Sequence, residues 1–174
     1  INKAPDQFKD AKYSAERERS VGLGVMGFHS FLQKKRIPME SVMAKSWNKK
    51  IFKNIDEKVN QASKDLAKER GACPDAAEYG YQERFSNKTA IAPTASISII
   101  CGGASPGVEP IAANSYTHKT LSGSFNVKNR YLEEILESHG KNDDETWSSI
   151  TTNQGSISHL DFLTDLEKDV FKTA

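Results

Sequence analysis

The chain has 174 residues, long enough to bury a core, and its 24 Lys+Arg against 23 Asp+Glu leave a formal net charge of +1. Near-neutrality supplies no field for gathering nucleic acid or an anionic membrane. No apolar run approaches the roughly 20 residues of a membrane helix, and Ile1 to Lys12 lacks a signal peptide's apolar centre, so the expected location is the cytoplasm. Cys73 and Cys101 are the two cysteines, which excludes a disulfide scaffold and a four-cysteine metal site and fits a reducing compartment. The chain starts at Ile1, and "TDLEKDVFKTA" at its end resembles a helix still in progress. Both features suggest a piece of a larger protein.

In chain order, the first expected element is a helix from Ser14 to about Lys35, with Val21, Val25, Phe28 and Leu32 four, three and four residues apart. Pro38 ends it. Val42, Met43, Trp47, Ile51, Ile55, Val59, Ala62 and Leu66 then mark the apolar stripe of a second helix of nearly 30 residues. Lys68 and Arg70 suit its negative end, Gly71 suits the residue after its cap, and Pro74 forbids continuation. Residues 76–87 show no sustained period and are expected to be irregular.

Residues 88–101, "KTAIAPTASISIIC", are rich in β-branched residues and predict a strand from about Ser96 onward, behind Pro93, with "GGASPG" as a tight turn. "HKTLSGSFNV" suits a further strand or an extended loop. "NRYLEEILESHG" predicts a short amphipathic helix closed by Gly140, "KNDDETWSSITTNQGSISH" a polar surface segment, and Thr164 with Glu167 a capping box that starts a helix at Asp165. Helices flanking sparse strands favour an α/β or α+β fold.

Gly22, Gly24 and Gly27 spell G-x-G-x-x-G, but the dinucleotide fingerprint requires a preceding strand. "AERERS" precedes it instead. Close packing of a glycine-bearing helix is the better account. The four histidines, at 29, 118, 139 and 159, show no metal-ligand spacing. Cys101 ahead of Gly102 and Gly103 could expose a thiol, as a cysteine hydrolase would need, yet a buried packing role is the simpler expectation, as it is for Cys73.

"PTASIS" is the most informative segment. Small residues allow close approach of backbone to a ligand, and Thr94, Ser96 and Ser98 add hydroxyls that can join main-chain N–H groups around phosphate oxygens. An ordinary strand with a hydroxyl-bearing solvent face accounts for the same residues equally well.

"IAPTASIS", "GVEPIAANSYTHKTLSG", "RSVGLGVMGFHSFL", "LAKERGACP" and "LTDLEKDVFKTA" together resemble the large, catalytic subunit of class I ribonucleotide reductase, in the form found in T4-like bacteriophages and related viruses. The resemblance spans nearly the whole chain. It implies an α/β fold, with residues 1–174 a part of the ten-stranded α/β barrel of that subunit, a fragment rather than a complete independent domain. It also implies reduction of ribonucleoside diphosphates to 2′-deoxyribonucleoside diphosphates by radical chemistry, with the substrate's diphosphate held at Thr94, Ala95, Ser96 and Ile97. Thr94 and Ser96 act there through side chains, Ala95 and Ile97 through N–H, and Ser98 is a further candidate. Glu109 and Pro110 match the family's "EP", an architectural return of the chain. The Asn-x-Cys-x-Glu motif of the thiyl cysteine is absent, Cys73 and Cys101 match neither member of the redox pair, and no catalytic or metal-binding residue is assigned here.

No cofactor is implied for this segment itself. The full enzyme implies a radical-generating, metal-containing small subunit, a thioredoxin- or glutaredoxin-type reductant, ATP and deoxynucleotide effectors, the rest of the large subunit, and a homodimer, with no nucleic-acid or membrane partner. For a phage-encoded protein the location becomes the host cytoplasm. The alternative is a non-catalytic phosphate- or nucleotide-binding module built on the same segment.

Overall fold

The computed structural model describes residues 3–121 and 123–174. The chain divides into two compact units, one formed by the residues up to Gly24 with Trp47–Ile91, the other by Val25–Ser46 with Ala92–Ala174. Among the described residues no helix is long and apolar enough to cross a membrane.

In the first unit, α1 (Lys9–Glu18) follows a 3-10 turn at Asp6–Phe8. The expected single helix from Ser14 to Lys35 does not form. α1 stops where Arg19 adopts a left-handed conformation (φ 48°), and the chain then runs extended beside residues 87–90. Val21 N–H donates to the Asn87 carbonyl at 3.0 Å, Leu23 N–H to Lys88 at 3.0 Å, and Ala90 N–H returns to Leu23 at 3.1 Å. Gly22 permits this pairing, since a Cβ there would stand 2.9 Å from the Ala90 Cβ. Gly22 therefore serves close approach, but of extended chain rather than of a helix, while Gly27 turns the chain left-handed (φ 80°) into the helix at Phe28.

α3 (Val42–Arg70) has the length the apolar stripe predicts, 29 residues. Ser41 opens it, its Oγ accepting the Ala44 N–H at 3.1 Å. At the other end the Arg84 guanidinium donates to the carbonyls of Arg70 (2.9 Å) and Gly71 (3.1 Å), covering acceptors that a helix C-terminus leaves open. Buried Ser63 receives the Arg84 and Phe85 N–H groups on its Oγ. α4 (Pro74–Glu78), with proline in its first turn, makes helical the first three residues of the stretch 76–87 expected to be irregular; Arg17 of α1 bridges to its Asp75 at 2.5 Å and to its Glu78. Cys73 is fully buried, as expected, beside Ser86.

The second unit holds α2 (Phe28–Lys34), α5 (Ala95–Ile100), an antiparallel hairpin of β1 (Ser115–Thr120) and β2 (Gly123–Lys128), α6 (Arg130–Ser138), α7 (Asp144–Thr152) and α8 (Asp165–Val170). Its core comprises Leu132 and Leu136 from α6, Trp147 and Ile150 from α7, and Ile157, Leu160, Leu163, Val170 and Phe171. The polar segment expected at the surface thus contains a helix whose Trp147 and Ile150 are buried. Asp143 caps α7 by accepting the Thr146 N–H at 2.8 Å, and the Trp147 indole N–H finds Asn142 Oδ1 at 2.8 Å. Helix α6 and the Thr164/Glu167 capping box of α8 match expectation, with Gly140 left-handed (φ 64°) just past α6. Helix α8 ends at Val170, with Phe171 as its cap residue.

Asn114 and Asn129 join these parts. Asn114 Nδ2 donates to the carbonyls of Gly155 (3.1 Å) and Phe171 (2.8 Å), while Asn129 Nδ2 donates to Asn114 Oδ1 (2.8 Å) and Gln33 Oε1 (3.1 Å). Buried amides can be kept in a core when paired in this way.

Candidate functional site

The segment singled out in the sequence lies in the second unit, and its local structure differs from the expected strand. Residues from Ala95 to Ile100 form a six-residue helix. Two signals in the sequence outweigh the β-branched run. Gly102 (φ 80°) stands at the position after the cap, and the N–H groups of Gly103 and Gly102 reach back to the carbonyls of Ser98 (3.0 Å) and Ile99 (3.1 Å), the paired closure that glycine permits at a helix C-terminus. Ile97, Ile99 and Ile100 remain 57%, 44% and 82% exposed, so burial of a strand face was never available to favour the extended form.

Thr94 is the residue on which the chain turns into α5. It is left-handed (φ 51°, ψ 27°), a conformation that costs a β-branched residue on the order of 1–3 kcal/mol. Its hydroxyl makes no cap bond to the helix; instead Thr94 Oγ1 accepts the Gly107 N–H at 2.7 Å. The first intrahelical bond runs from Ser98 N–H to the Thr94 carbonyl at 2.9 Å. The amides of Ala95, Ser96 and Ile97 thus precede the intrahelical ladder, and all three residues are exposed.

Of the five candidate residues, four share this exposed turn: Thr94, Ala95, Ser96 and Ile97. Ser98 does not. It is 5% exposed and its Oγ donates to the Ala95 carbonyl at 2.9 Å, so its hydroxyl supports the helix from inside, apart from the turn. Cys101 is also corrected. Its thiol is exposed at the end of α5 rather than packed.

The loop after α5 is held by residues that the sequence reading left without a role. Ser105 is fully buried and pairs reciprocally with Ser30 of α2: Ser30 N–H donates to Ser105 Oγ (3.0 Å) and Ser105 N–H to Ser30 Oγ (2.8 Å). Behind Glu109 and Pro110, Ile111 N–H donates to Nδ1 of buried His29 at 3.0 Å. Burial pushes the His29 imidazole down to about 4, opposed by the Val170 carbonyl, so it is neutral at pH 7 and serves as an acceptor that anchors the returning chain. The spacing of 75 residues between Ser30 and Ser105 leaves no local pattern by which either could be found.

Beside α5 lies a cavity of about 460 Å³, lined by Ala95, Ser98 and Ile99 together with Gln33, Asn114 and Tyr131 among others. Gln33 Nε2 is buried and has no hydrogen-bond partner among the described residues.

Comparison with known proteins carries these features into a family. The family model described as "Ribonucleotide reductase, barrel domain" matches residues 1–83 and 75–174. The large subunit of ribonucleoside-diphosphate reductase from Invertebrate iridescent virus 3 is 45% identical over 99% of this chain, and that from Invertebrate iridescent virus 6 is 47% identical over 100% of it. The chain spans 28% and 18% of the length of these two relatives. A solved structure, the Actinobacillus ureae class Id ribonucleotide reductase alpha subunit, superposes with a TM-score of 0.87 at 42% identity, over 98% of this chain and 31% of that one. Mixed helix and hairpin, without the expected central strand, is thus how this portion of an α/β barrel is built, and the chain belongs to the ribonucleotide reductase barrel-domain family.

Proposed function

We propose that this chain supplies scaffold and the substrate's diphosphate cradle to the large subunit of a ribonucleoside-diphosphate reductase, residues 1–174 being a partial barrel domain without a complete domain of their own. The whole subunit replaces the ribose 2′-hydroxyl of ribonucleoside diphosphates by hydrogen through radical chemistry. It works as a homodimer with a radical-generating, metal-containing small subunit, a thioredoxin- or glutaredoxin-type reductant, and ATP and deoxynucleotide effectors, in the cytoplasm. The names and coverage of the viral relatives support this reading.

The observation that carries the cradle is the Thr94 turn. It places the uncapped amides of exposed Ala95, Ser96 and Ile97 beside the hydroxyls of exposed Ser96 and half-buried Thr94 on one short uncharged segment. Amides ahead of a hydrogen-bond ladder, combined with hydroxyl donors, suit phosphate oxygens without Lys or Arg. Holding the diphosphate here keeps it distant from the reacting 2′-carbon, so the same contacts serve ground state and transition state alike.

The test is steady-state kinetics on Thr94→Ala and Ser96→Ala in a full large subunit carrying this segment. A hydrogen bond to a charged oxygen is worth about 1.5–3 kcal/mol. Each change is therefore expected to raise KM for the nucleoside diphosphate by roughly ten- to a hundredfold while kcat falls much less. An unchanged KM in a folded variant removes the cradle.

A further inference from the structure

A threonine that begins a helix ordinarily turns its side-chain oxygen onto an amide of the first turn. Thr94 does not. Its Oγ1 is taken by the N–H of Gly107, 13 residues downstream, at 2.7 Å. A hydroxyl has one proton and two acceptor sites. Accepting from Gly107 therefore orients the oxygen, keeps the hydroxyl proton for an external acceptor, and leaves the first-turn amides uncapped from within.

Gly107 can do this because it lacks a side chain. Its φ is 50°, and a Cβ would stand 3.0 Å from the Ala92 carbonyl oxygen, so any other residue would be strained and crowded there. Two residues upstream, Ser105 anchors the same loop to α2 through the reciprocal pair with Ser30, and its carbonyl also accepts the Gly27 N–H at 2.9 Å. Ser30, Ser105 and Gly107 are buried and Gly27 and Thr94 half-buried, so losing the Thr94 acceptor leaves the buried Gly107 donor unsatisfied.

We infer that Gly107, braced by the Ser30–Ser105 pair, is the positioning residue of the diphosphate cradle: it holds the Thr94 hydroxyl, and through it the left-handed turn, in the binding arrangement before substrate arrives. This rests on the diphosphate reading of Thr94. Removing the Gly107 contact lets the Thr94 oxygen fall back onto the first-turn amides, which costs the ligand both the hydroxyl and an amide without altering any atom that touches it.

The experiment titrates a full large subunit carrying this segment, isotope-labelled selectively at these residues, with inorganic pyrophosphate, following the backbone amide resonances of Ala95, Ser96 and Ile97. Thr94→Ala and Gly107→Ala are each expected to weaken binding by roughly tenfold or more, and the double variant to be no weaker than the poorer single one, since both changes disable one device. Ser105→Ala, which leaves the loop backbone unstrained, is expected to shift the Gly107 amide resonance and weaken binding severalfold, and it keeps the test open if Gly107→Ala fails to fold. Wild-type affinity in Ser105→Ala or in folded Gly107→Ala, with Thr94→Ala still weak, overturns the positioning role and leaves the diphosphate reading standing. So do independent, multiplying losses in the double variant. Unmoved amides in the unsubstituted chain overturn the diphosphate reading itself, and this inference with it.

Discussion

Within the second unit, residues 130–171 and residues 92–111 are built on opposite plans. The first stretch buries Leu132, Leu136, Ile150 and Phe171 completely and closes each helix start with a side chain: Asn129 for α6, Asp143 for α7 and Thr164 for α8. The second stretch exposes Ile97 and Ile100 and caps its helix with no side chain. It spends left-handed backbone at Thr94, Gly102, Gly103 and Gly107. One region is held by what it removes from water, the other by a few directed hydrogen bonds to distant partners. Left-handed backbone at a non-glycine residue such as Thr94 is strain of the kind that tends to collect at functional sites.

The contrast can be broken or sharpened by substitution. The largest effect is expected for Phe171→Ala, which empties a fully buried site and should lower unfolding free energy by about 3–5 kcal/mol in denaturant titrations. A loss below about 1 kcal/mol would mean that this core is loosely packed.

Next comes pH. His29 is held neutral at a value near 4, below its ordinary 6.5. The unfolded chain therefore binds the additional proton first as pH falls, and the stability gained from the neutral ring is complete above 6.5 and drains away toward pH 4. The total is roughly 3 kcal/mol. Denaturation midpoints measured across that window should slope for the parent chain and flatten in His29→Asn, whose carbonyl can still accept the Ile111 N–H. Equal slopes would place the pH dependence elsewhere.

Smaller again, Asp143→Ala should lower the unfolding midpoint slightly by uncapping α7, checked by chemical unfolding. Its carboxyl is held below the ordinary aspartate range chiefly by the Thr146 amide, so the loss should appear at neutral pH and fade when the carboxyl is protonated in acid. The smallest effect belongs to the other region. Ile100→Ala, at 82% exposure, should change stability by less than about 0.5 kcal/mol. A larger loss would show that α5 is buried after all in the folded chain.

The same contrast explains which parts were legible beforehand. Helix α3, helix α6, the Gly140 stop and the Thr164/Glu167 box depend on neighbours within one or two turns, so periodicity and cap residues suffice to place them. Helix α7 was missed although "DDET" opens it, because only one tryptophan and one isoleucine carry its buried face. At 14–35 a plausible 3.6-residue period was overruled by pairing with residues 87–90, and at 96–101 a plausible strand was overruled by the glycine closure. Gly102 and Gly103 were visible there, but were assigned to a turn after a strand.

The family and the short segment to watch are legible in the string, because motifs such as "IAPTASIS" and "GVEPIAANSYTHKTLSG" keep their order without coordinates. The starts of α6 and α8 are legible in the same way, since their cap bonds close within two or three residues. Which hydroxyl turns inward depends on the folded chain. Thr94 and Ser98 look alike in the string, yet one accepts from Gly107 and the other is turned inward to the Ala95 carbonyl. That choice is made by contacts such as Ser30 with Ser105, 75 residues apart, whose energy exists only once the chain has brought them together, so no local pattern could have carried it.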